Sequence, residues 1–244
     1  MKNTFTVIVA DPCWSFSDKL KMSDVKRGAS SNYPTMTIAD FKNLPVKELI
    51  DPKGSVLCLW VPSSLLQEGL DLMSEWGFAQ KQTYIFTKVK RKPLKQLSKQ
   101  ILQTIKLSIE SKSKLSIIRK SISSLIDSES ISNTLSFGLG RLFRNTHEIC
   151  LIGTSNNLIY QQLSNKSQRS VCFAPNLKHS AKPEDLQNSL ELMFPKAKQD
   201  GKMLELFARR ERAGWICLGN ECGAKQDIRI SLPQLINKIS LKVA

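Results

Sequence analysis

Seven short apolar runs punctuate the chain, at residues 6–10, 55–61, 81–87, 147–153, 171–174, 203–208 and 214–219. Continuous runs of this length predict strands buried on both faces, as in a parallel sheet. Helical patterns lie between them. Those at 38–43 and 46–50 are short, and Thr37 and Asp40 offer the first a cap and a first-turn acid. Pro62-Ser63-Ser64 opens a helix over 65–76 that Gly77 ends. Lys182-Pro183-Glu184-Asp185 opens another over 186–194, which Pro195 is expected to stop. Strand and helix in regular alternation predict an open α/β sheet with right-handed crossovers.

Residues 93–135 break that rhythm. They contain no glycine, and apolar side chains recur at helical spacing: Leu94, Leu97, Ile101, Leu102, Ile105 and Ile109, then Leu115, Ile118, Ile122, Leu125 and Ile126. The pattern predicts two or three amphipathic helices inserted between sheet strands. No repeat and no linker divides the chain.

At 244 residues with 41% apolar side chains, the chain suits one domain (1–244) carrying an inserted basic helical element at about 90–135. There is no run of eighteen apolar residues and no leader pattern before Phe5, so a soluble, cytoplasmic protein is expected. Six scattered cysteines form no CxxC pair, and there are two histidines. Free thiols and no metal site are expected.

The net charge of +15 is concentrated. Residues 88–120 hold eleven Lys/Arg against the single acid Glu110. Such a block attracts polyphosphate and predicts salt-sensitive nucleic-acid contact; a solvated helical face is the plainer alternative.

Candidate chemistry begins at Asp11-Pro12-Cys13-Trp14, directly after the first apolar run. The Asp11 carboxylate and the Pro12 carbonyl can each accept a hydrogen bond from an exocyclic –NH2, and Trp14 can stack on the ring that carries it. The same residues also read as a strand entering a proline turn with a core tryptophan. Further segments accompany them: Tyr33-Pro34-Thr35-Met36; Leu57-Cys58-Leu59-Trp60-Val61-Pro62; Phe137-Gly138-Leu139-Gly140-Arg141 with Arg144-Asn145-Thr146-His147-Glu148; and His179 to Pro183, Leu204 to Arg209 and Gly214 to Glu221.

In this order and spacing the segments resemble the MT-A family of adenine methyltransferases, in the style of the small phage and bacterial members that modify DNA adenine. The resemblance covers about residues 5–89 and 136–223. It implies a Rossmann-like methyltransferase sheet with permuted motif order, S-adenosylmethionine as methyl donor, and transfer to the 6-amino nitrogen of adenine. Asp11, Pro12 and Trp14 are then the catalytic candidates, and Trp14 with Tyr33 would hold a base rotated out of its stack. By the same resemblance Asp11, Lys182, Phe207, Arg209, Asn220 and Glu221 fall where the family binds its cofactor. Glu221 or Asn220 would take ribose hydroxyls, and Lys182 or Arg209 the methionine carboxylate. Arg141 and Arg144, with Lys90, Arg91 and Lys92 of the basic block, are expected to meet the nucleic acid. DNA is the favoured substrate; RNA, or a degenerate nucleic-acid-binding subunit, are the alternatives.

One departure stands out. Cys13 occupies a position where the family usually has proline, so the turn loses a fixed φ and gains an N–H. Less preorganisation is expected, with activity retained. No acid–base role is expected of His147-Glu148, and Gly138-Leu139-Gly140 reads as a loop near the substrate.

Overall fold

The computed structural model describes residues 4–15, 36–125, 128–138, 142–175, 181–222 and 225–241. All seven expected strands form: β1 (Val7–Ala10), β2 (Val56–Val61), β3 (Ala79–Val89), β4 (His147–Thr154), β5 (Val171–Pro175), β6 (Met203–Leu206) and β7 (Ile216–Leu218). The helices are α1 (Ile38–Lys42), α2 (Leu66–Glu75), α3 (Arg91–Glu110), α4 (Leu115–Leu125), α5 (Ser128–Asn133), α6 (Asp185–Met193), α7 (Pro195–Gln199) and α8 (Ile228–Leu241).

The sheet order is β5-β3-β4-β2-β1-β6-β7. β1 runs parallel to both β2 and β6, and β6 parallel to β7. The expectation of an all-parallel sheet is corrected at β4, which is antiparallel to β2, with Val61 opposite Ile149 and Val56 opposite Thr154. Strands covered on both faces are continuously apolar whichever way they run, so hydropathy carries no direction. β1 and β2 are such strands, buried at every position.

Two compact units are distinguishable. The first comprises the described residues of 1–85, 148–170 and 184–244, and the second those of 86–147 and 171–183.

In the first unit, β1, β2 and β6 meet α1, α2 and α8 in one apolar cluster that includes Ile8, Leu57, Leu204, Phe41, Leu72, Trp76 and Leu232. Each large side chain buried here contributes about 1.5–3 kcal/mol. α1 starts where its sequence indicates. The Thr37 hydroxyl accepts from the Asp40 backbone N–H at 3.1 Å, and Asp40 Oδ2 accepts from the Thr37 N–H at 2.9 Å, a reciprocal cap. The wholly buried ring of Trp76 then pins α1 by donating its indole N–H to the Phe41 carbonyl at 2.9 Å. Gly69 lets α2 lie close on the sheet, because a Cβ there would meet Val61 Cγ2 at 2.6 Å.

α6 stops where its sequence indicates, ending at Met193 with Phe194 as its C-cap, and Pro195 then opens α7 as its first residue, where its fixed φ suits the helix and its missing N–H is no loss. α8 lies beyond the predicted elements and contains Pro233. It is held by burial of Ile228, Leu232 and Ile239.

In the second unit α3, α4 and α5 lie between β3 and β4 along the chain. α3 and α4 pack on each other, yet no described side chain of either is fully buried. Among the described residues no helix is long and apolar enough to cross a membrane.

Candidate functional site

The chain leaves β1 towards β2 on one side, while β6 and β7 are added on the other. Between β1 and β6 the order therefore reverses, and in open α/β sheets the crevice at the carboxyl ends of such strands binds ligands. Ala10 is the register partner of Leu206, and the Asp11 N–H points to the Leu206 carbonyl at 3.4 Å. Asp11 and Phe207 thus emerge side by side at this switch point, although almost two hundred residues separate them.

The tetrapeptide turns sharply. The Pro12 carbonyl accepts the Trp14 backbone N–H at 2.9 Å, closing a three-residue turn. A carbonyl oxygen has two lone pairs, so Pro12 retains one acceptor site. Asp11 is half-buried, with partners of its own. The Cys13 thiol is also half-buried, and burial pushes its pKa up despite backbone hydrogen bonding from Met36 and its own N–H. A thiol held protonated is a poor nucleophile.

Trp14 corrects an expectation. Its side chain is 4% exposed, its indole N–H donates to the Trp60 carbonyl at 2.9 Å, and its ring meets Phe41 edge-on at 5.3 Å. Enclosed in this way, the ring has no face open for a base. The carbonyl at the end of β2 and the apolar flank of α1 have claimed it, so it anchors the turn in the core.

Phe41 is the residue that sequence reasoning missed. Wholly buried on α1, it packs edge-on against Trp14 and also against Phe207, at 5.7 Å and 88°. Phe207 itself is held at φ 62°, a left-handed conformation that costs a non-glycine residue about 1–3 kcal/mol. One ring therefore supports both loops of the crevice. Phe41 looks like any core aromatic in sequence, and its position between a capping box and Leu44 was the only available sign.

The cofactor candidates of this unit converge. Phe207 and Arg209 follow β6; Asn220 and Glu221 follow β7 and are exposed. Arg209 Nε lies 3.8 Å from Glu221 Oε1. Their approach depends on Gly219, where a Cβ would collide with the Ala208 carbonyl and lie 2.7 Å from the Ala208 nitrogen. With no side chain there, the Ala208 N–H donates to the Leu218 carbonyl at 2.9 Å and the two loops run together.

Two more features were not anticipated. Glu205, on β6 beside Val9, is raised in pKa chiefly by burial, against the Gln187 amide that donates to it at 3.3 Å; the nearby Asp11 charge adds to the rise. Gln187 Oε1 lacks a partner among the described residues. The loop after Phe207 is also tied to α6 by Arg210 and Arg212, through Glu184, Asn188 and Glu191.

The remaining described candidates, Lys182, Arg144, Lys90, Arg91 and Lys92, are in the second unit. Arg144, Arg91 and Lys92 are exposed. Lys90 is engaged within its unit, donating to the Asn133 carbonyl at 3.2 Å and lying 5.6 Å over the Phe137 ring. Tyr33 and Arg141 lie outside the described residues.

No curated protein matches the chain. The sequence model of the family described as MT-A70 matches residues 5–131 and 120–221.

Proposed function

Because the chain belongs to the MT-A70 family of adenine N6-methyltransferases, we propose that it methylates the 6-amino nitrogen of adenine in DNA, using the crevice between β1 and β6. The observation that carries this reading is the register of those strands, in which Ala10 pairs with Leu206 and the Asp11 N–H reaches the Leu206 carbonyl. The resemblance to phage and bacterial members favours DNA over RNA. On this reading the chain is one methyltransferase domain, permuted in motif order, with α3–α5 as a basic insertion that serves target recognition.

The residues suit the cofactor. Phe207 offers an apolar surface, Asn220 and Glu221 offer groups for ribose hydroxyls, and Arg209 is a cation for a carboxylate. S-adenosylmethionine supplies a methyl group activated by its sulfonium leaving group. The protein's own task is to aim a weak nucleophile, since the adenine amino lone pair is delocalised into its ring. Asp11 accepts one N6 hydrogen and the second lone pair of the Pro12 carbonyl the other, which turns the nitrogen lone pair towards the methyl. Asp11 is also the acceptor at hand for the proton released once the carbon–nitrogen bond has formed. Trp14 acts from the core by fixing the Pro12 turn, and Tyr33 remains the candidate for stacking on the extruded base.

A single face of α3 supports nucleic-acid contact. Lys92, Lys95, Lys99 and Lys106 are spaced three, four and seven residues apart and all are exposed. None is ion-paired with a described residue. They form one stripe about 20 Å long, from 1.5 Å of rise per residue, suited to phosphates. Arg91 extends the stripe at its start, and Arg144 adds a further exposed cation in the same unit.

The test is to incubate the protein with radiolabelled S-adenosylmethionine and separate DNA and RNA pools, then identify the labelled nucleoside. N6-methyldeoxyadenosine is the expected product. Label in RNA alone would change the substrate, and label in neither would leave a binding subunit.

A further inference from the structure

The stretch from Phe207 to Gly214 has no regular structure, yet it carries Phe207 and Arg209 of the proposed cofactor site. Something other than a hydrogen-bond ladder must hold its shape. Arg212 does so from inside. Its side chain is 16% exposed; its Nε donates to Glu191 Oε1 at 2.6 Å, one terminal nitrogen to Glu184 Oε2 at 2.9 Å, and the other to Asn188 Oδ1 at 2.5 Å. All three partners lie along one face of α6 or its first turn, at spacing four and three. Trp215 closes the far end of the loop by donating its indole N–H to the same Glu191 oxygen at 2.8 Å. Lys198 of α7 takes the second Glu191 oxygen at 2.6 Å, and Arg210 takes the remaining Glu184 oxygen at 2.9 Å.

The consequence for Arg209 is one of selection. Three arginines stand within four residues, and two of them are committed to α6. Arg209 alone is turned the other way, towards Glu221 at 3.8 Å. A planar guanidinium with all its edges occupied fixes orientation as well as position, which an ammonium cannot do.

We propose that Arg212 and Glu191 are positioning residues for the cofactor: by gripping α6 they hold the 207–215 loop in the conformation that presents Phe207 and Arg209 to S-adenosylmethionine. They touch neither substrate nor reacting atoms. The inference rests on the cofactor reading of residues 207–221 given above.

Cofactor binding and transfer separate it from a merely structural role. Titration calorimetry with S-adenosylmethionine on Arg212→Lys is expected to show a dissociation constant raised about tenfold, on the scale of one missing charged hydrogen bond. The transfer rate at saturating cofactor should stay within about twofold of the parent. Trp215→Phe keeps an aromatic ring and removes one hydrogen bond, so it should weaken binding by about threefold with the rate again preserved. If Arg212→Lys does not fold, Trp215→Phe decides. A lowered melting temperature with unchanged cofactor affinity overturns the proposal, as does a rate that falls as much as affinity does. If the parent protein binds no S-adenosylmethionine, the cofactor reading itself fails first.

Discussion

Replacing Glu191 with glutamine removes the charge at the centre of the α6 network while keeping its shape. Burial alone would raise the Glu191 pKa, but hydrogen bonds from Arg212, Lys198 and Trp215 and the charge of Arg212 outweigh it, and the group is lowered from 4.5 to about 2. The side chain is 16% exposed, so solvent screening discounts little. At 1.36 kcal/mol per unit, that shift corresponds to about 3 kcal/mol of stability. The sign follows from the direction. A depressed carboxylate pKa stabilises the fold above the unfolded value near 4.5, and this contribution drains away as pH falls towards 2. Glu191→Gln should therefore be less stable than the parent by about 3 kcal/mol at pH 7. The gap should narrow between pH 4.5 and about 2, because the parent loses the same charge by protonation. Urea unfolding of both proteins across that range, followed by tryptophan fluorescence, measures the difference directly. A gap that stays constant with pH, or none at pH 7, would refute the claim that charge holds this loop to α6.

Asp11→Ala should abolish methyl transfer to DNA while cofactor affinity by calorimetry stays within a few fold; full activity in that variant sinks the proposed reaction. Converting Lys92, Lys95, Lys99 and Lys106 to glutamine should weaken DNA binding by fluorescence anisotropy and flatten its log–log salt slope by about 0.9 for each phosphate no longer neutralised. An unchanged slope returns that stripe to the role of a solvated face. Phe41→Leu keeps an apolar group but removes both edge-on ring pairs, so thermal unfolding should register about 1–3 kcal/mol of destabilisation. Both the transfer rate and cofactor affinity should fall with it, since Trp14 and Phe207 lean on the same ring; an effect on one alone would show that the loops are supported separately.

Much of the fold is legible in the chain itself. Each of the seven apolar runs became a strand; β1 and β2 are buried at every position, as an uninterrupted apolar segment implies, whereas β3, β5 and β7 keep exposed positions. Thr37 and Asp40 announce the start of α1 because capping joins residues three apart. Pro195 is legible in part: α6 ends just before it, but that it also begins α7 depends on the chain on its far side.

The crevice is legible in parts. Asp11-Pro12-Cys13-Trp14 and the Phe207-to-Glu221 segment are visible as candidates, since each is contiguous. What each side chain does is another matter. Trp14 presents the same letter whether its ring is open to a base or closed between Phe41 and the Trp60 carbonyl, and the structure closes it. Gly219 reads as an ordinary turn glycine until the Ala208 backbone is found where its Cβ would stand.

The division has a physical basis. Periodicity, caps and motif identity depend on neighbours within a few residues, so the strands, every helix named above except α7 and α8, the basic face of α3 and the chemistry on offer at Asp11 can be read from the chain alone. Strand direction, the meeting of Ala10 with Leu206, the double burden on Phe41 and the commitment of Arg212 to α6 depend on groups far apart in the chain. Only tertiary packing decides which of them share a core, and hence leaves Arg209 facing Glu221.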